Sequence, residues 1–331
     1  MKHAVTVISG DGIGPEIVEA SIQVLEATGV GFSWEAVELN AEIMQNSPTK
    51  IPDRVLQAIK ENKVAIKGPI STPVGEGFTS PNVLIRRQLD LFASIRPAHS
   101  IAQYAATKKP IDVITVRENT EDVYVAIEHE SKDKVVAEKV ITRQASERIA
   151  RCAFELATLQ NRKKVTALHK ADILKKADGL FLDCCRGVAK EFSQIHYEEA
   201  IIDSACMQLV LDPSRFDVMV TENMYGDIVS DIVAGIVGGL GLVGSANIGD
   251  DIAVFEAVHG SAPDIAGEGI ANPTGLLRAC VMMLYRLNEN QAAKKLDDAI
   301  NHVLIEGKVA THDLGGTVTS KEFSNKIIEF L

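Results

Sequence analysis

The chain of 331 residues carries 45 acidic against 34 basic side chains, a formal net charge of −11, and shows none of the Lys/Arg blocks or stripes that a polyanion-binding surface needs. Nucleic acid and anionic membranes are therefore excluded as expected partners, and this length leads us to expect about two domains with a substantial buried core. With 46% hydrophobic and 24% charged residues, the composition is that of an ordinary soluble globular protein. Short β-type runs then alternate with longer helical patterns. A strand is expected at 4–8 and a helix at 13–27, a strand at 64–66 and a helix at 82–91, then strands at 112–116 and 165–168 and a helix at 173–192. That alternation predicts an α/β protein with a largely parallel sheet. No repeat or flexible linker cuts the chain in two, so a second domain is expected as an insertion. Residues 128–143, charged and alternating, predict an exposed strand pair or arm.

Cys152, Cys184, Cys185, Cys206 and Cys280 form no CxxC pair and no metal-ligand spacing, which predicts reduced thiols. The N-terminus passes from Met1-Lys2-His3 straight into an apolar run, without a signal-peptide or transit-peptide pattern. The longest uncharged stretch, 232–248, is broken by glycines and too short to span a bilayer. A soluble cytoplasmic protein is expected, and a mature organellar chain would read the same.

Ser9-Gly10-Asp11-Gly12-Ile13-Gly14-Pro15-Glu16 follows a strand and opens a helix, as a dinucleotide loop would. Pro15 occupies the place of the last glycine of GxGxxG, so this loop reads as a helix start first and a cofactor neighbour second. Further on, Ser80 and Asn82 are expected at the N-terminus of a helix, where backbone amides favour an anion, with Arg86 one turn later. Arg96 follows in Ser94-Ile95-Arg96-Pro97, and Arg117 closes the strand Val113-Ile114-Thr115-Val116. Three guanidinium groups so placed suit a polycarboxylate, because each can clamp a carboxylate with two hydrogen bonds. Asp227 and Asp231 lie four apart in a helix expected to open at Gly226. Their carboxylates can meet one hard cation such as magnesium or manganese, or Asp227 can serve the helix dipole while Asp231 is solvated. Spacing alone leaves both open.

In order along the chain, Gly10 to Glu16, Lys67-Gly68-Pro69, Arg86-Arg87, Arg96-Pro97, Arg117-Glu118-Asn119-Thr120-Glu121-Asp122-Val123-Tyr124, His169-Lys170, Gly226-Asp227 with Ser230-Asp231, and His259-Gly260-Ser261-Ala262-Pro263-Asp264 resemble the β-decarboxylating dehydrogenases. These are the isocitrate, homoisocitrate and 3-isopropylmalate dehydrogenases. The resemblance runs from about residue 5 to about residue 320. It implies the isopropylmalate-dehydrogenase-like two-domain α/β fold, with a mixed, mostly parallel sheet, in place of a conventional Rossmann domain. Residues 1–98 and 239–331 would form the large cofactor-binding domain, and 99–238 the small one with its dimer arm. It further implies a homodimer or higher homo-oligomer with shared sites, in which Asp227 and Asp231 of one chain and Asp203 of the other hold Mg2+ or Mn2+.

The implied chemistry is oxidative decarboxylation of a hydroxy di- or tricarboxylate. The hydroxyl gives up a proton and its carbon a hydride, the β-keto acid loses carbon dioxide, and the enolate is protonated, with a divalent ion as Lewis acid. Lys170 and Tyr124 are the implied proton-transfer residues. Both have ordinary pKa values near 10 and need neighbouring charges to work at neutral pH. The implied cofactor contacts are Ser71, Thr72, His259, Gly260, Ser261, Ala262, Pro263, Asp264, Ile265, Asn272 and Asp313. Asp264, which can accept from a ribose hydroxyl and would repel a phosphate, points to NAD over NADP. Ser80 and Asn82 match the isocitrate pattern, with Arg86, Arg96 and Arg117 as the other substrate contacts. Homoisocitrate follows second, since one methylene is discriminated by only about 1 to 3 kcal/mol. An isopropylmalate enzyme and a non-catalytic regulatory subunit are the further alternatives, the latter expected to lack one of Tyr124, Lys170 or the metal aspartates. Asp172 departs from the family pattern, standing where asparagine is usual.

Overall fold

In a computed structural model that describes residues 2–47, 49–72 and 79–331, the apolar runs become the strands of one large sheet and the amphipathic segments the helices covering it. The strands are β1 (His3–Ile8), β2 (Phe32–Ala36), β3 (Val64–Lys67), β4 (Ala93–His99), β5 (Asp112–Glu118), β6 (Glu128–Ser131), β7 (Lys134–Ala137), β8 (Lys164–His169), β9 (His196–Ile201), β10 (Val218–Thr221), β11 (Gly244–Ile248) and β12 (Ala253–Ala257). The helices are α1 (Gly14–Ala27), α2 (Ala41–Asn46), α3 (Asp53–Asn62), α4 (Pro81–Gln88), α5 (Arg143–Leu159), α6 (Ala177–Ala189), α7 (Ile202–Leu211), α8 (Asn223–Val237), α9 (Thr274–Arg286), α10 (Asn290–Glu306) and α11 (Ser320–Ile328).

The 10-stranded sheet runs β2-β1-β3-β12-β11-β4-β5-β10-β8-β9. It is parallel except where β11 pairs with β12 and β4, and where β4 pairs with β5. The expected mixed, mostly parallel architecture is therefore present. Its inner strands are buried on both faces, as at Val113, Ile114, Val116, Val165, Val218 and Val220, which is why they read as continuous apolar runs. The antiparallel seam places Ser94 opposite Arg117. Further along the sheet, β3 lies beside β12 with Lys67 against Glu256. Charged side chains thus enter the middle of the sheet from several distant segments.

Three expectations need correction. Helix α8 begins at Asn223, not Gly226, because the Met224 amide is received by the Asp122 carboxylate at 2.8 Å; Asp227 consequently lies beyond the first turn. The helix expected over 173–192 is only α6: the amides of Ile173 and Leu174 close a tight turn on the Lys170 carbonyl, and the helix proper starts at Ala177. The arm stops short of Arg143, which opens α5 behind an N-cap from Thr142. The arm itself is β6 and β7, a hairpin exposed at every position and separate from the main sheet. Among the described residues no helix is long and apolar enough to cross a membrane.

Candidate active site

Asp227 is the point on which the first group of functional side chains converges. Arg117, on β5 and 1% exposed, gives its Nε to the Asn223 carbonyl at 2.9 Å and its Nη2 to Asn223 Oδ1 at 2.7 Å, leaving Nη1 to bond the Asp227 carboxylate. Arg96, from β4, reaches Ser230 Oγ at 2.6 Å, Asp227 at 3.4 Å and Asp231 at 3.7 Å. The Tyr124 hydroxyl donates to Asp227 Oδ2 at 2.6 Å, and its ring lies 5.0 Å below the Arg117 guanidinium. Burial pushes the Asp227 carboxyl up, but Arg117, the Tyr124 hydroxyl and Arg96 outweigh it and hold the group below its ordinary value. Burial dominates at Asp231, whose carboxyl is raised. Arg117 is pulled down to about 10 by burial and by Arg96 and Arg86. Gly226 makes the arrangement possible: a Cβ there would stand 2.5 Å from Arg117 Cγ and 2.4 Å from Thr221 Oγ1.

Beside this cluster, Lys67, Asn82, Arg86, Arg96, Ser245, Glu256, His259 and Gly260 help to line a polar cavity of about 120 Å3. Glu256 is buried there between Lys67 Nζ at 2.6 Å and Arg86 Nη2 at 3.2 Å, and it accepts from Asn247 at 2.6 Å. Burial alone would raise its carboxyl; Lys67 and Arg86 hold it down to about 2. Asn82 Oδ1, Arg86 Nε, Arg96 Nε and His259 Nε2 are buried without a hydrogen-bond partner. Buried polar atoms left so are unusual in folded proteins: the two guanidinium donors call for an acceptor such as a carboxylate, while Asn82 Oδ1 and, with its Nδ1 turned to the Gly260 carbonyl, His259 Nε2 call for a donor such as a hydroxyl. Ser80 is the N-cap of α4 but its side chain makes no hydrogen bond to the helix; its Oγ lies 3.3 Å from the Thr72 hydroxyl.

A second, larger cavity of about 670 Å3 opens from the same His259 and Gly260 and is lined further by Ile13, Gly241, Ala262, Ile265, Ile270, Ala271, Asn272, His312 and Asp313. Its size and mostly apolar lining suit a cofactor. Asp313 is fixed by Asn272 Nδ2 at 3.0 Å and by the Thr311 hydroxyl at 2.6 Å. The Gly10–Gly14 loop acts here as a wedge: Asp11 N bonds the Pro69 carbonyl at 2.8 Å and Ile13 N the Ser261 carbonyl at 2.9 Å. A Cβ on Gly12, whose φ is +59°, would collide with that Ser261 oxygen at 1.9 Å. Asp11 also receives the Ser71 amide at 2.9 Å, and the Ser71 and Ser261 hydroxyls meet at 2.7 Å. Pro263 and Asp264 are exposed, outside the cavity lining.

Lys170 and Asp203 form a third group. Lys170 Nζ lies 2.7 Å from Asp203 and 3.4 Å from Asp172, so the residue that departs from the family pattern aims at the lysine. Its hydrogen bond to Asp203 raises the Lys170 ammonium above its ordinary range. Among the described residues, no three His, Cys, Asp or Glu side chains gather around one point. Asp227 and Asp231 offer a hard cation two carboxylates from one helix, short of the six oxygens that magnesium takes, and no third acid among the described residues joins them.

Comparison with known proteins decides the affiliation. The family model described as isocitrate/isopropylmalate dehydrogenase matches residues 4–327. The chain belongs to the isocitrate/isopropylmalate dehydrogenase family. It is 48% identical to the catalytic subunit 5 of the mitochondrial NAD isocitrate dehydrogenase of Arabidopsis thaliana, over 98% of this chain and 88% of that one. It is 46% identical to the 3-isopropylmalate dehydrogenase of Archaeoglobus fulgidus, over 99% of both. The solved structure of isocitrate dehydrogenase from Methylococcus capsulatus superposes with a TM-score of 0.95 at 46% identity, covering 99% of each chain. As an isocitrate/isopropylmalate dehydrogenase family member, the protein is an enzyme of the decarboxylating dehydrogenase type. Lys67 and Glu256 were not singled out by sequence reasoning as site residues. The available signal was Glu256 itself, a charge within the apolar strand Ala253-Val254-Phe255-Glu256-Ala257, three residues before His259.

Proposed function

We propose that the protein is an NAD-dependent isocitrate dehydrogenase, converting isocitrate to 2-oxoglutarate and carbon dioxide. The observation that carries this choice is the cavity at the start of α4. Its unpartnered buried atoms are Asn82 Oδ1, Arg86 Nε, Arg96 Nε and His259 Nε2. Beside a branched alkyl group the two guanidinium donors, Arg86 Nε and Arg96 Nε, would stay unsatisfied, at about 1–3 kcal/mol each, whereas an additional carboxylate can accept from them. In this proposal Arg86, Arg96 and Arg117 bind the substrate carboxylates, with Ser80 and Asn82 reading the distinguishing one. Arg96 and Arg117 are pre-set by Ser230 and Asn223, so binding orders little that is not already fixed.

Magnesium or manganese, held by Asp227 and Asp231 with Asp203 of a second copy, would supply Lewis acidity at the hydroxyl and keto oxygens, and NAD would accept the hydride. Burial raises the Tyr124 hydroxyl above its ordinary value, so it stays protonated at neutral pH, as the donor of a proton to the enol requires. Lys170 is the proton relay at the hydroxyl. Its ammonium is stabilised by Asp203 within the chain, and engaging that carboxylate in a shared site would favour the neutral amine, which can take the hydroxyl proton.

Sharing between two copies is supported by apolar side chains that one chain leaves in water: Met207, Val210 and Leu211 along α7, Ile228 on α8, and Val135 and Val136 on the hairpin. An isolated two-stranded hairpin is marginal in water, so pairing with a second arm would complete it. Gly238 and Gly239, both at φ above +120°, mark the end of α8 where the small domain, 99–238, would return to the large one formed by 1–98 and 239–331. Five free cysteines support a reducing compartment, cytoplasm or organellar matrix.

The test is a product balance. Purified protein with manganese and NAD should form NADH and carbon dioxide from isocitrate in equal amounts, with chelation of the metal stopping both. Asp227→Asn should lower kcat by more than the ~10–100-fold typical of losing a partner that only supports a metal ligand. Turnover that survives both chelation and Asp227→Asn would overturn the metal assignment.

A further inference from the structure

Lys139 is an anomaly of position. It stands two residues past the last strand of the exposed hairpin, yet its side chain turns inward and is only 13% exposed. Its Nζ donates to Asp178 Oδ1 at 2.7 Å and to Glu222 Oε2, and it lies 4.5 Å over the Tyr225 ring. Both acids are buried, Asp178 wholly so. Replacing such a buried ion cluster by apolar side chains of similar volume commonly costs no stability, so packing alone does not call for it.

The two acids belong to different parts of the catalytic apparatus. Asp178, in the first turn of α6, uses its other oxygen to accept the Lys170 amide at 2.6 Å, so the backbone that carries Lys170 hangs from it. Glu222 precedes α8, and its carbonyl receives the Gly226 amide at 3.0 Å, immediately before Asp227. The neighbouring Val140 carbonyl accepts the Asp122 amide at 2.8 Å, and the Asp122 carboxylate in turn holds the amides of Val123 and Met224, both at 2.8 Å. Tyr124 and α8 are thereby tied to the same short segment.

We propose that Lys139 is a positioning residue whose ammonium fixes, at one point, the Lys170 loop and the helix carrying Asp227 and Asp231. This rests on the shared-site arrangement proposed above, in which those two elements serve different active sites of the dimer. One ammonium per chain then acts on both sites, and it does so from the root of the arm.

Mixed dimers carrying two different tags test this. A dimer of Tyr124→Phe with Lys170→Met chains retains one intact site and should show about half the wild-type kcat. Pairing Lys139→Met with Tyr124→Phe leaves one site whose Lys170 is sound but whose α8 lacks its anchor. Pairing Lys139→Met with Lys170→Met leaves one site whose α8 is sound but whose Lys170 lacks its anchor. Both pairs should fall to about a tenth of wild type or less, the usual loss when an outer supporting residue goes. Lys139→Arg should recover much of the activity lost in Lys139→Met, with the KM for NAD unchanged in both. The double variant Lys139→Met/Glu222→Gln removes one unpaired buried charge and guards against a chain that merely fails to fold.

Half activity in either Lys139→Met pairing, or wild-type kcat in the Lys139→Met homodimer, overturns the proposal. An inactive Tyr124→Phe/Lys170→Met control beside an active wild type would instead overturn the shared-site arrangement and the two-site action with it. The kcat of Lys139→Met and its rescue by arginine then decide the positioning role within a single site.

Discussion

Two carboxylates set the electrostatics of the candidate site, and they do so in opposite ways. Asp227 is surrounded by donors yet 40% exposed, available to a ligand; Glu256 is sealed between Lys67 and Arg86. Because the Glu256 carboxyl falls from 4.5 to about 2 in the folded chain, its contribution to stability is fully present above pH 4.5 and is lost as pH falls towards about 2. Glu256→Gln should therefore lower Tm at neutral pH, where Lys67 and Arg86 lose their counter-charge, and flatten the acid limb of Tm against pH. Parallel curves for the two proteins would contradict this. At this scale much was legible in the sequence: Arg96, Arg117, Tyr124, Asp227 and Asp231 do come together. Glu256 and Lys67 were not, because their pairing is set by the register of β3 against β12, strands far apart in the chain. Asp172 could be flagged as a departure, but its aim at Lys170 depends on the turn at 170–174.

Among the elements, α8 shows how one local constraint places several side chains. Its glycines are not equivalent: Gly226 faces Arg117 and Thr221 at contact distances no Cβ tolerates, while Gly235 has open space around it. Gly226→Ala should destabilise the protein by about 1–3 kcal/mol and displace Arg117 from Asp227, raising the KM for the substrate. Gly235→Ala on the same helix should stabilise it by up to about 1 kcal/mol, as alanine does in an exposed helix interior. Thermal unfolding of the two variants checks the contrast, and equal effects would contradict it. The alternation of strands and helices was plain from apolar periodicity. Helix ends were less so: α8 starts early because Asp122, a hundred residues away, caps it, and α6 starts late because a turn intervenes. Neither partner is visible in a local window.

For the whole molecule, the strongest expectation concerns assembly. Met207, Val210 and Leu211 share one face of α7 and are exposed in the single chain. Sedimentation should show a dimer or larger oligomer. Met207→Glu with Leu211→Glu should give a folded monomer with little turnover, since each proposed site needs Asp203 and Lys170 from a second copy. A fully active monomer would refute the shared site. The measurement that tests the central claim most directly is kcat/KM for isocitrate, homoisocitrate and isopropylmalate, with NAD and manganese under identical conditions. The polar cavity formed by Asn82, Arg86 and Arg96 predicts that isocitrate is preferred over isopropylmalate by orders of magnitude, because a buried polar site rejects an analogue lacking its partner group by about 10⁴. A higher kcat/KM for isopropylmalate would contradict it.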